Sequence, residues 1–298
     1  MRNTMKHATT LGRLALWIWL LILPAIALAQ TQLGSAAALQ AKYEAVKSQL
    51  DRNPYGRPLV LESTEASGQL SGDIFALVSH PFDQVSASLS QPGVWCDVLM
   101  LHLNTKHCAV RGTASARTLA VSVGRKFDQP LSEAQRVDFV WQPPAVADDY
   151  MSVRLSADKG PLSTRDYRIE LEATPLGNGK TFIHLGYAYA YGVAARIAMQ
   201  GYLATIGSDK VGFTTTGKDS AGEPVYVGGV RGVVERNTMR YYLAIDAYMD
   251  APKQLPQRLA AWFDSTERYA RQLHEVERED YLAMKRNEYK RLASPVPE

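Results

Sequence analysis

The chain has 298 residues, with 33 Lys and Arg against 30 Asp and Glu for a formal net charge of +3. Three of the positive side chains, Arg2, Lys6 and Arg13, fall within the first 29 residues with no acidic residue among them, so the remainder is formally neutral. Neutrality argues against a nucleic-acid partner, whose phosphates call for a basic surface, and the length suits one enlarged domain or two small ones.

Residues 1–29 read as an address. A positive n-region leads into an apolar run, Leu14 to Pro24, too short to span a bilayer comfortably, and Ala27-Leu28-Ala29 ahead of Gln30 fits a small-x-small cleavage site. This predicts a signal peptide cleaved near Ala29 and a periplasmic or secreted protein, an uncleaved anchor being the alternative. Ser35 to Leu50 then reads as a helix with Leu39, Tyr43, Val46 and Leu50 on one stripe. Leu59 to Glu65 and Gly68 to Ser79 are extended, His80-Pro81 stops the second strand, and Phe82 to Leu89 is a short helix. A second short helix holds Trp95-Cys96-Asp97-Val98-Leu99, and strands follow over Lys106 to Gly112, Thr118 to Phe127, Arg136 to Gln142 and Tyr150 to Ala157. In an oxidising compartment Cys96 and Cys108 would pair, a bridge worth on the order of 3 kcal/mol. The alternative is a thiol or metal site with His102 and His107, but the spacing matches no common zinc pattern.

The stretch Thr164 to Gly207 carries the strongest signals. Tyr167, Ile169, Leu171 and Ala173 alternate with polar residues, Gly177-Asn178-Gly179-Lys180 turns the chain, and alternation resumes to Tyr191, which predicts a hairpin. The second strand has a bulky face, Ile183, Leu185, Tyr187, Tyr189 and Tyr191, and a nearly bare one, His184, Gly186, Ala188 and Ala190. The tyrosines read as sheet packing. The bare strip reads as the place where a helix approaches closely or a hollow is left, and Val193 to Ile206 supplies that helix with Val193 and Ile197 on its stripe. His184, Gly186, Ala188, Ala190 and Ile197 are therefore the predicted ligand-binding residues, with His184 as a ligand-orienting group or a general base paired with Asp97.

Past this stretch, Thr214 to Glu223 is a polar loop, and Arg231 to Met249 is helical with Arg231, Arg236 and Arg240 read as a solvated face. Gln257 to Leu292 is one long helical pattern of ~54 Å at 1.5 Å per residue, so it must bend, break or project. Its apolar stripe fades after Val276, which predicts a solvent-exposed end.

The order strand, two short helices, antiparallel strands, then a helix laid on the sheet resembles the START-like, or helix-grip, superfamily, which includes lipid-transfer and polyketide cyclase-like proteins. The likeness covers Leu59 to Phe213, and its entry is the strand leading through His80-Pro81-Phe82 to Trp95. The strings Trp95-Cys96-Asp97-Val98-Leu99 and Leu101-His102-Leu103-Asn104 also resemble a family of exported bacterial proteins, a likeness that brings no activity with it. The implied fold class is α+β, an antiparallel sheet wrapped on a helix with additional C-terminal helices. The implied division is 1–29 signal peptide, 30–58 N-terminal helix and linker, 59–213 START-like domain and 214–298 helical extension.

Catalytic motifs are weak. Lys218-Asp219-Ser220-Ala221-Gly222 lacks the first glycine of a nucleophile elbow, and Gly228-Gly229-Val230-Arg231-Gly232 misses the dinucleotide fingerprint by one glycine. No catalytic residue, cofactor or metal is assigned. The reading is an exported, noncatalytic carrier of an apolar or lipid-like small molecule. The alternatives are an envelope interaction protein that uses its C-terminal helix, with peripheral membrane contact left open, and a cyclase-like or hydrolytic enzyme.

Overall fold

A computed structural model describes residues 34–204 and 209–293, and the predicted signal segment lies outside them. Among the described residues no helix is long and apolar enough to cross a membrane. Helix α1 (Ala36–Asp51) begins where the Ser35 hydroxyl accepts from the Ala38 amide, the bond for which serine is favoured at an N-cap. Strands β1 (Leu59–Ala66) and β2 (Gln69–Val78) follow, then helices α2 (Phe82–Leu89) and α3 (Pro92–Leu101). The chain then meanders through β3 (Thr105–Thr113), β4 (Ala116–Val123), β5 (Gln135–Trp141), β6 (Ala145–Val146), β7 (Met151–Lys159), β8 (Thr164–Leu176) and β9 (Lys180–Tyr191). After α4 (Val193–Ala204) come a small hairpin, β10 (Thr215–Lys218) with β11 (Pro224–Tyr226), and helices α5 (Gly229–Asp250), α6 (Leu255–Glu267), α7 (Ala270–Leu273) and α8 (Arg278–Ala293).

All but the β10–β11 hairpin strands share one antiparallel sheet in the order β1-β2-β9-β8-β7-β5-β4-β3, with β6 on β7. Because α2 and α3 carry the chain from β2 across to β3, β1 and β3 become the two edges and the sheet stays open. The fold is α+β, an open antiparallel sheet gripping a helix.

The gripped helix is not the expected one. Helix α5 lies on β1, β2 and β9 and against α3, burying Val234, Met239, Tyr242, Leu243 and Ile245. Its close approach is made at Gly72 of β2, where an added Cβ would stand 2.3 Å from Thr238 Oγ1. Helix α4 sits instead at the sheet margin, touching β9, α5 and the Pro161–Ser163 turn. Val193 and Ile197 of α4 are turned to solvent, whereas α5 is buried around most of its circumference, the mark of a core helix. The expected solvated arginines of α5 are likewise corrected: Arg236 and Arg240 are 3% and 4% exposed. Arg236 donates to the Val211 carbonyl, and Arg240 to Leu273 O and Glu275.

The other face of the sheet carries α1, whose Leu39, Val46 and Leu50 pack with Val60, Phe75 and Phe182 in a separate core. The 257–292 pattern is broken into α6, α7 and α8, and its end is not exposed. Tyr281, Lys285 and Glu288 are fully buried. Tyr281 donates to Leu101 O at 3.0 Å, while Glu288 accepts from Lys106 at 2.9 Å and Lys285 at 2.7 Å. Cys96 of α3 is bonded to Cys108 of β3 with Cα atoms 5.3 Å apart.

Candidate functional site

Alternation in β9 sends Tyr187 and Tyr189 to the sheet's inner face, and their register partners Gly72 and Leu70 on β2 share it. Between this face and helices α3, α4 and α5 lies a cavity of about 230 Å³. Its floor is Val121 and Val123 of β4, Val137 and Phe139 of β5, Tyr167 of β8 and the two β9 tyrosines. The helices add Leu99, Ala195, Met199 and Tyr241. The aromatic rings brace one another: Tyr167 stacks on Tyr189 with centroids 5.3 Å apart, and Tyr187 meets Tyr241 edge-on at 5.2 Å, arrangements that ring quadrupoles favour. Burial pushes the hydroxyls of Tyr167, Tyr187, Tyr189 and Tyr241 above the usual phenol range, so the wall is uncharged.

Polar groups gather at the α3 end, where His102, Asn104, Thr105 and Asn237 line the cavity. Nδ1 of His102 accepts from the Asn104 amide at 3.2 Å, while its buried Nε2 has no hydrogen-bond partner. Burial first, then the charges of Arg240 and Lys285, hold this imidazole well below the usual histidine range. Pro161, Leu162 and Thr164, from the turn that packs against α4, also line the cavity. Leu162 and Ser163 both have positive φ, 54° and 62°, a backbone region costly for side chains larger than glycine, and Leu162 is 62% exposed.

The predicted ligand residues fall elsewhere. His184, Gly186, Ala188 and Ala190 are on the outer face, the side of α1, and not on the cavity wall. His184 lies flat on Phe75 with centroids 4.7 Å apart. Its Nδ1 meets Glu172 and its Nε2 meets Asp73, both at 2.8 Å. Burial alone would lower its pKa, but the two carboxylates outweigh that and raise it to about 9, so the ring is a buried cation between two anions rather than a base. Asp97, the expected partner, instead accepts from Arg258 at 3.3 Å. Ala188 and Ala190 border a shallow polar depression with Asp166 and Arg168. Ile197 is 65% exposed on α4, where Ala195 and Met199 face the cavity. The structure thus brings together a set that sequence reading missed. The bulky β9 face was its visible signal, and His102 and Tyr241 carried none, since α3 and α5 had to be placed before either could meet the tyrosines.

No family model and no curated protein matches the chain. Among solved structures, human STARD10 is similar at 11% identity, over 89% of this chain and 91% of that chain, with a TM-score of 0.34. Human StAR-related lipid transfer protein 5 is similar at 12% identity over 57% of this chain and 89% of that chain, TM-score 0.32. A norcoclaurine synthase from Thalictrum flavum is similar at 13% identity over 50% and 93%, TM-score 0.32. Values of this size carry no ligand or reaction across to this chain, and the fold stands on the strand order and helix placement described above.

Proposed function

We propose that this protein is a noncatalytic binding protein that holds a small apolar molecule between the inner face of its sheet and helix α5. The observation that supports it is the cavity of about 230 Å³ walled by valines, a phenylalanine and four tyrosines. Binding pockets are typically concave and mostly apolar with a few convergent polar groups, and the His102 end supplies those groups. The carrier works in the periplasm or outside the cell. Residues 1–29 have the pattern of a signal peptide, and the Cys96–Cys108 bridge suits an oxidising compartment.

Native mass spectrometry of the full chain, exported by its own host, tests both parts. The expected result is a protein beginning at Gln30 with one disulfide and an adduct of small-molecule mass that competing ring-sized apolar compounds displace. A protein that is folded yet carries no adduct and takes up none of those compounds refutes the binding reading, and two free thiols refute the compartment.

A further inference from the structure

Among the described side chains that line the cavity, His102 is the one with a fully buried polar atom left without a hydrogen-bond partner. It ends α3, is 4% exposed and lines the cavity. Because Nδ1 accepts from the Asn104 amide, the neutral ring carries its proton on Nε2, and the depressed pKa keeps it neutral. Nε2 is then a buried donor with no partner, an arrangement that is unfavourable until an acceptor reaches it. Asn237 of α5 lines the same end of the cavity and is the side chain that interacts most directly with the ring, but it lies outside hydrogen-bond geometry with Nε2, so a ligand oxygen competes with it for that donor. The Tyr241 ring, 5.2 Å away centroid to centroid, holds the imidazole in place.

Size narrows the class further. A dry apolar cavity of ~150 Å³ takes one benzene ring, so about 230 Å³ holds a ring with a short substituent and not a sterol or a two-chain lipid. Building on the binding function proposed above, we infer that the ligand is a single-ring apolar compound whose carbonyl oxygen accepts the hydrogen bond of His102 Nε2–H at the α3 end of the cavity.

Acetophenone and cumene have the same outline, one with a carbonyl oxygen where the other has a methyl group. Their affinities for the full chain and for His102→Leu are measured by calorimetry, and the ratio of ratios cancels their different hydration. The expected result is a shift of about tenfold against acetophenone in His102→Leu, equivalent to ~1.4 kcal/mol. An unchanged ratio with both compounds still bound overturns the role of His102 and leaves the carrier reading intact, whereas a folded parent that binds neither removes that reading itself. If His102→Leu does not fold, nitrogen-15 NMR of the parent decides. The Nε2-bound proton should move on addition of acetophenone and not of cumene, and a signal unmoved by both, or moved equally by both, overturns the inference.

Discussion

His184 is held at both ring nitrogens by carboxylates, and Glu172 in turn accepts from the Tyr150 hydroxyl. A buried cation is tolerated only when paired and hydrogen-bonded, and here the pairing joins β2, β8 and β9 across the outer face. With its pKa raised from the usual 6.5 to about 9, the stability this group contributes is fully present below pH 6.5 and is lost as pH rises through 9. At ~1.4 kcal/mol per pKa unit that amounts to ~3 kcal/mol at most. Lys285 works in the opposite sense. Burial pulls its pKa down to about 8, so its contribution grows as pH rises from 8 to 10.5. Stability should therefore fall first between pH 6.5 and 8, and ring-carbon NMR shifts should place the His184 midpoint near 9; a midpoint at or below 6.5 refutes the paired imidazolium. The sequence showed His184 and the alternation that puts it opposite the tyrosines. It did not show which face is hollow, because β9 is buried on both sides and period-two alternation separates faces without ranking them. Asp73 and Glu172 come from other strands, and only the register of β2 and β8 against β9 brings them to the ring.

Helix α8 shows how a charged sequence can be a docked element. Half of its sixteen residues are charged, yet Tyr281, Lys285 and Glu288 recur at the i, i+4, i+7 spacing of one face and all three are fully buried. The helix is fastened to the cavity's own frame. Lys285 donates to the carbonyls of His102 and Thr105, Lys106 to that of Leu103, and Glu288 lies between the two ammonium groups. Removing one partner of a buried ion pair leaves an uncompensated charge and costs ~3 to 5 kcal/mol. Glu288→Gln should lower stability in denaturant by that order, and truncation after Glu277 should cost more, since the apolar Tyr281, Leu282 and Met284 go with it; a loss under ~1 kcal/mol in Glu288→Gln would mean that α8 is not docked in solution. Many element boundaries were legible in the sequence, down to Phe82–Leu89, because periodicity and turn residues are local, but the breaks within 257–292 and the β10–β11 hairpin were not. Which helix the sheet grips was not legible. The choice of α5 over α4 depends on Gly72 admitting Thr238, a contact between residues far apart in the chain.

At the scale of the whole molecule the cavity is an anomaly that a carrier explains. Protein interiors are packed nearly as densely as organic crystals, with few voids larger than a water molecule. A hollow of about 230 Å³ lined mostly by apolar side chains leaves those side chains without packing partners unless something apolar fills it. The surrounding frame resists collapse. The Cys96–Cys108 bridge ties α3 to β3, α8 locks the same junction, and the tyrosines brace one another from β8, β9 and α5. A hollow held open in this way should accept a ring from the protein itself as readily as from a ligand. Ala195 of α4 is 1% exposed and lines the cavity, so Ala195→Phe places that ring inside. If the space is open in solution, unfolding free energy should stay within ~1 kcal/mol of the parent or rise, while affinity for a ring-sized apolar compound falls at least tenfold. If the walls close on one another instead, the same substitution overpacks them and should destabilise by ~1 to 3 kcal/mol. Denaturant unfolding and calorimetric titration of the pair decide between the two, and a destabilised variant beside a parent that binds nothing would mean the cavity does not persist and the carrier function must be given up.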